Sequence, residues 1–124
     1  MKKIIFSVAT GFLLWTVLWC SANFVVPTVV PDAFTAAGTI SSTPVLLFFL
    51  GWSMLASFLS GAMVGRRNPG TALPNWVLGF ALLLVGSGVQ ASYWDAMPVW
   101  FHLGFLAALL PVTLFGGRFA SGDR

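Results

Sequence analysis

Residues 44–65 read PVLLFFLGWSMLASFLSGAMVG, and this segment decides the fold of the chain. It contains no charged side chain, and it begins with a proline. Crossing the hydrocarbon core of a bilayer takes an α-helix of about 20 apolar residues. The segment ends at residues 66–70 (RRNPG), a basic turn with two strong helix breakers. This pattern predicts a membrane-spanning helix.

The same spacing of charges recurs along the chain. No Lys, Arg, Asp or Glu lies between Lys3 and Asp32, between Arg67 and Asp95, or between Asp95 and Arg118. Only 7% of the 124 residues are charged, against about 25% in a soluble domain. We therefore expect an all-α, integral membrane four-helix bundle that forms one domain over residues 1–124. The four spans are expected at residues 4–26, 44–65, 73–91 and 96–117.

The basic residues predict the orientation. In a four-span arrangement every Lys and Arg falls on one side of the membrane, namely Lys2, Lys3, Arg66, Arg67, Arg118 and Arg124. Because cytoplasmic ends carry an excess of Lys and Arg, we expect both termini in the cytoplasm, an N-in/C-in topology. The compact design, with spans and little else, favours the bacterial cytoplasmic membrane.

The first span has a second interpretation. Two lysines, an apolar run and small residues up to Ala22 resemble a signal peptide cleaved at that point. However, the run is longer than a usual signal sequence, and residues 24–26 (FVV) continue it. We expect a retained span that ends at Pro27. We interpret Cys20, the single cysteine, as a small apolar residue in that span.

Two connections lie on the side without basic residues. Pro31 and Asp32 precede the residues AFTAA and then Gly38, which predicts one or two helical turns along the membrane surface. In the next connection, Asp95 is expected to cap the N-terminus of span four.

A stripe of small residues in the second span predicts a helix-packing face. Ser53, Ser57, Gly61 and Gly65 recur every four residues, so they lie on one side of the helix. Small side chains let a second backbone approach closely, and serine hydroxyls can form hydrogen bonds across the contact. The sequence leaves the packing partner open among span one, span three, span four and another copy of the chain.

Polar residues cluster at the level opposite the basic side. They form a candidate polar pocket that consists of Asn23, Gln90, Tyr93, Asp95 and His102. Polar groups at membrane depth usually face the bundle or water, and histidine changes charge near neutral pH. We hypothesise an outward-facing pocket in which His102 responds to protons or contacts a ligand, with Asp95 or Gln90 as its partner. In the alternative interpretation, water reaches His102 at the interface and Asp95 only caps a helix.

Several classes of protein lack support in the sequence. There are no paired carboxylates, no glycine-rich phosphate loop and no paired cysteines, so we expect no catalytic, cofactor or metal site. Small multidrug transporters are of similar size but depend on a glutamate in their first span, and this chain contains no glutamate. The net charge of +3 lies at span ends, where it sets topology, so we expect no nucleic-acid partner.

Two functions then stand out. We expect a non-enzymatic membrane component, surrounded by the lipid bilayer, that either self-associates as a homo-oligomer or belongs to a larger membrane complex. The alternative is an oligomeric small-solute transporter or channel whose outward-facing polar pocket lines a path. An intramembrane enzyme is the least favoured class.

Overall fold

The computed structural model describes residues 2–34, 40 and 42–121. Its four long helices are α1 (Lys2–Val29), α2 (Thr43–Arg67), α3 (Leu73–Ser92) and α4 (Val99–Ser121). Each is long and apolar enough to cross a membrane. Two short 3-10 helices, Pro31–Ala33 and Trp94–Ala96, lie in the connections. The predicted all-α membrane four-helix bundle is confirmed.

The helices are arranged around the bundle in the order α1, α2, α4, α3. The α2–α4 pair is the most closely packed, while α1 packs on α2 and α3, and α3 packs on α4. At one end α1 and α3 begin and α2 and α4 end. We call it the basic end, because it carries Lys2, Lys3, Arg66, Arg67 and Arg118. The opposite end, which we call the far end, carries Asp32 and Asp95.

The first helix does not end at Pro27, as expected from the sequence, but continues to Val29. A proline inside a helix lacks the N–H that would bond to the carbonyl four residues earlier, here that of Asn23. Beyond the proline, the backbone N–H of Val30 bonds to Val26 O at 2.8 Å. The helical pattern therefore resumes after the proline.

The fourth helix begins at Val99 instead of residue 96, so the prediction that Asp95 caps it was wrong. Asp95 belongs to the 3-10 helix Trp94–Ala96. Met97 follows in an extended conformation, as expected for a residue that precedes a proline. Pro98 O then accepts the backbone N–H of Phe101, so α4 starts only after the proline.

The predicted surface helix after Pro31 is described only in part. Residues Pro31–Ala33 form a 3-10 helix, and Phe34 is extended. The remainder of that prediction, through Gly38, lies outside the described residues.

The close contact between α2 and α4 depends on glycine. A Cβ atom on Gly61 would collide with the main-chain oxygen of Thr113, and one on Gly65 would collide with that of Gly117. From the other side, a Cβ on Gly116 would collide with the backbone of Phe58. The absence of side chains at these positions therefore brings the two backbones into direct contact.

Apolar side chains form two clusters along the bundle axis. The longer cluster consists of Trp15, Ala56, Val64, Leu78, Leu82, Phe105 and Leu109. The second lies at the far end and consists of Ala22, Val45, Leu46, Phe49 and Phe101. The partly buried Trp19 packs against both clusters. The packed core therefore extends from Val64, near the basic end, to the far end of the bundle.

Candidate functional site

The candidate site is built around a buried histidine at the far end. His102 lies in the first turn of α4, and Gln90 lies in the last turn of α3. Both side chains are fully buried. Because the end of α3 and the start of α4 are adjacent, the Nδ1 atom of His102 and the Oε1 atom of Gln90 form a hydrogen bond.

Trp94 completes the surroundings of this histidine. The Nε2 atom of His102 lies 3.0 Å from the main-chain oxygen of Trp94. The indole ring of Trp94 stacks on the imidazole, with a centroid distance of 4.6 Å and an interplanar angle of 12°. Both contacts come from the 3-10 helix that connects α3 to α4. Trp94 therefore contacts the imidazole at its face through the indole ring and at its edge through the main-chain oxygen.

This arrangement accommodates both charge states of the imidazole. A charged imidazolium donates one N–H to Gln90 Oε1 and the other to Trp94 O. A neutral ring carries one N–H, which can bond to Trp94 O while a rotated Gln90 amide donates to Nδ1. The glutamine can thus satisfy His102 in either state, because its amide offers both a donor and an acceptor.

The other members of the predicted pocket do not join this pair. Asn23 is exposed, and its amide donates to Trp19 O of its own helix at 2.9 Å. Tyr93 is 57% exposed, and Asp95 is also exposed. The structure therefore brings His102 and Gln90 together and leaves these three side chains at the surface of the far end.

The small-residue face of α2 lies inside the bundle. Ser53, Ser57, Gly61 and Gly65 are all buried. The indole N–H of Trp15 on α1 donates to Ser57 Oγ at 3.0 Å. With the glycine contacts to α4, this hydrogen bond places the stripe between two helices of the same chain.

Asn75 is a buried polar residue whose burial was not predicted from the sequence. It lies in the first turn of α3 and is fully buried. Its side-chain nitrogen donates to Gly61 O at 2.9 Å and lies 3.3 Å from Thr113 O. One amide therefore bridges three helices near the basic end. In the sequence it follows Pro74 at a span terminus, where an asparagine normally indicates exposure to the interface.

Arg67 of α2 contacts α1 at the basic end. Its guanidinium donates to Thr10 Oγ1 at 3.1 Å and lies 5.7 Å from the centre of the Phe6 ring. Both partners belong to α1. The neighbouring Arg66 points elsewhere on the helix and is exposed. The two arginines of the basic turn therefore have different surroundings.

Grooves lie on the outside of the bundle. One, of about 730 Å³, runs between α1 and α3 and is lined by residues such as Val8, Phe12 and Val77. Another, of about 510 Å³, lies between α2 and α4 at the basic end. Within the described part of the chain, no three His, Cys, Asp or Glu side chains group closely enough to hold a metal ion.

Comparison of the chain with protein-family models, with curated proteins and with solved structures finds no match. The geometry of the bundle is therefore the basis for its functional assignment.

Proposed function

We propose that the protein is a non-enzymatic component of a membrane assembly, which acts through contacts with other membrane proteins or with further copies of itself. The observation that carries this proposal is the packed interior. Trp15, Trp19 and Phe105 meet at its centre, with ring centroids 5.1 to 6.2 Å apart. Among the described helices, these rings occupy the space that a solute path through one chain would require.

The pairing of buried polar groups supports the same function. Trp15 bonds to Ser57, Asn75 bonds to Gly61, and His102 pairs with Gln90. Such hydrogen bonds between helices hold a membrane bundle together. Transport sites, in contrast, present polar groups to a water-filled cavity. Here the polar side chains of these three pairs form hydrogen bonds inside the bundle.

The outer surface of α1 is the place where we expect a partner. Only 17% of an 18-residue apolar stretch of α1 is buried inside the bundle, against 44% of the corresponding stretch of α2. Phe6, Leu13, Val17 and Phe24 are all more than half exposed. This helix has the least cover from the rest of the chain, so another membrane helix can approach it without displacing α2 or α3.

We also propose the bacterial cytoplasmic membrane as the location, with both termini in the cytoplasm. The described basic residues lie at one end of the bundle, and the two described acids lie at the other. Such asymmetry sets the orientation of short-looped membrane proteins.

Site-specific photo-crosslinking in cells tests the contact function. A photoreactive residue at Leu13, which is 61% exposed, should form an adduct with a second copy or another membrane protein. The matched control is Leu78, which is fully buried and should give no adduct between chains. The proposal fails if Leu13, Val17 and Phe24 give only lipid adducts and native mass spectrometry finds a monomer.

The alternative function is an oligomeric small-solute transporter or channel with an outward-facing polar pocket. The observation in its favour is His102, an ionisable side chain buried at the far end beneath Trp94. A solute path would then require Trp94 to move, or would run between copies of the chain.

A further inference from the structure

The groove between α2 and α4 combines an apolar wall with a basic end. Phe58, Leu59 and Met63 of α2 line it together with Phe119 of α4, and Arg66 lies at the end nearest the basic end of the bundle. The α2 residues follow one another at helical spacing along one face. The rings of Phe58 and Phe119 are 5.6 Å apart. The surface is therefore amphiphilic along its length.

Arg66 has no acidic neighbour in the described part of the chain. Asp32 and Asp95 lie in the short helices of the far end. The 25 residues of α2 separate the two ends by about 37 Å at 1.5 Å per residue. The remaining acid, Asp123, lies outside the described residues. An exposed guanidinium at a membrane interface is well suited to a phosphate, which it can bind with two parallel hydrogen bonds.

We propose that this groove binds an anionic phospholipid, with its phosphate on Arg66 and one acyl chain along Met63, Leu59 and Phe58. The distance from Arg66 to Phe58 along the helix is about 12 Å. This length fits within one leaflet, which is half of a hydrocarbon core about 30 Å thick. Basic pockets between membrane helices are typical sites for acidic lipid head groups. The site is independent of the proposed contact function.

The chemistry favours a lipid over a second protein helix. An apolar helix would cover the phenylalanine wall but would leave Arg66 without an anion. The groove between α1 and α3 offers an internal comparison, because its lining is apolar and contains no basic residue.

Native mass spectrometry of the full chain in detergent tests the site. Phosphatidylglycerol and phosphatidylcholine with identical acyl chains are titrated separately. The wild-type protein should bind one phosphatidylglycerol in preference to phosphatidylcholine. Arg66→Gln should reduce that preference about five-fold, the effect of one basic residue near a membrane surface. The matched control Lys3→Gln removes a charge from the same end outside the groove and should change the preference less, because the attraction between exposed charges is screened over a Debye length of about 10 Å.

Two further variants test whether the lipid lies in the groove and whether Arg66 is free to bind it. Ala62→Phe fills the groove without changing charge, and it should weaken phosphatidylglycerol binding while Arg66 is intact. Asp123→Asn should leave the preference unchanged. The proposal is overturned if the wild-type protein shows no preference, or if Arg66→Gln and Lys3→Gln act equally. It is also overturned if Asp123→Asn strengthens binding, because the tail carboxylate would then be the partner of Arg66.

Discussion

The side-chain amide of Asn75 donates a hydrogen bond of 2.9 Å to the main-chain oxygen of Gly61 and so joins α3 to α2. Gly61 is also the position at which α2 touches α4, because its missing side chain leaves room for the backbone of Thr113. One glycine therefore serves two contacts. The lack of a side chain at Gly61 lets α4 approach α2 closely, and the Gly61 carbonyl accepts the hydrogen bond from Asn75 of α3.

Replacing Asn75 should destabilise the bundle. Asn75→Ala removes a hydrogen bond between membrane helices and leaves a small void, so we expect the free energy of unfolding to fall by about 1–2 kcal/mol. The matched control is Asn23→Ala, since Asn23 is exposed and bonds only within α1. Its effect should stay within about 0.5 kcal/mol. Unfolding by denaturing detergent measures both, and equal effects would contradict the bridging role of Asn75.

A single methyl group at Gly61 should force α2 and α4 apart. Overpacking of this kind typically costs about 1–3 kcal/mol, and we expect Gly61→Ala to lie in that range. Gly51→Ala is the control, because no side chain and no other helix lies within 4 Å of the position that its Cβ would take. It should be neutral or stabilise α2 by about 0.5–1 kcal/mol. If Gly61→Ala were as stable as Gly51→Ala in the same unfolding assay, the direct backbone contact would be wrong.

The candidate site should behave energetically as a pair and not as a pocket of five. In a double-mutant cycle, His102→Ala and Gln90→Ala should show a coupling of about 0.6 kcal/mol or more, as expected for a hydrogen bond within a membrane bundle. His102→Ala and Asp95→Ala should be additive, because Asp95 is exposed. Coupling of His102 to Asp95 but not to Gln90 would contradict the described geometry.

The proposed orientation can be measured by labelling engineered cysteines. In a Cys20→Ser background, Asp95→Cys should react with a membrane-impermeant maleimide on intact cells. Ser121→Cys should react only after the membrane is permeabilised. The opposite pattern would reverse the N-in/C-in topology, which rests on the side occupied by Lys and Arg.

The four spans can be predicted because a charged side chain in the bilayer core is costly, so long segments without charges mark the spans. The stripe from Ser53 to Gly65 is also visible in the sequence, since its four-residue spacing marks one helix face. The packing partner of this stripe cannot be predicted, because small residues allow any neighbouring helix to pack closely against them. Only the structure places Thr113 and Gly117 of α4 opposite them.

The polar side chains show what spacing along one segment cannot predict. Their distance from the span ends places Gln90, His102 and Asp95 near one level. Burial, however, depends on the rotation of each helix and on the exact start of α4, which Pro98 delays. Trp94 has the position of an interfacial aromatic residue in the sequence, although its ring stacks on His102. Neither the burial of these polar side chains nor the stacking of Trp94 on His102 can be predicted from spacing within a single segment.

Because we propose that the bundle acts through contacts, its interior should conduct no ions. The most direct test is the flux of protons and potassium across proteoliposomes that contain the purified protein. We expect the same permeability as in protein-free liposomes, because Trp15, Trp19 and Phe105 fill the centre of the bundle. A protein-dependent flux would contradict it, and loss of that flux in His102→Ala would favour the transporter instead.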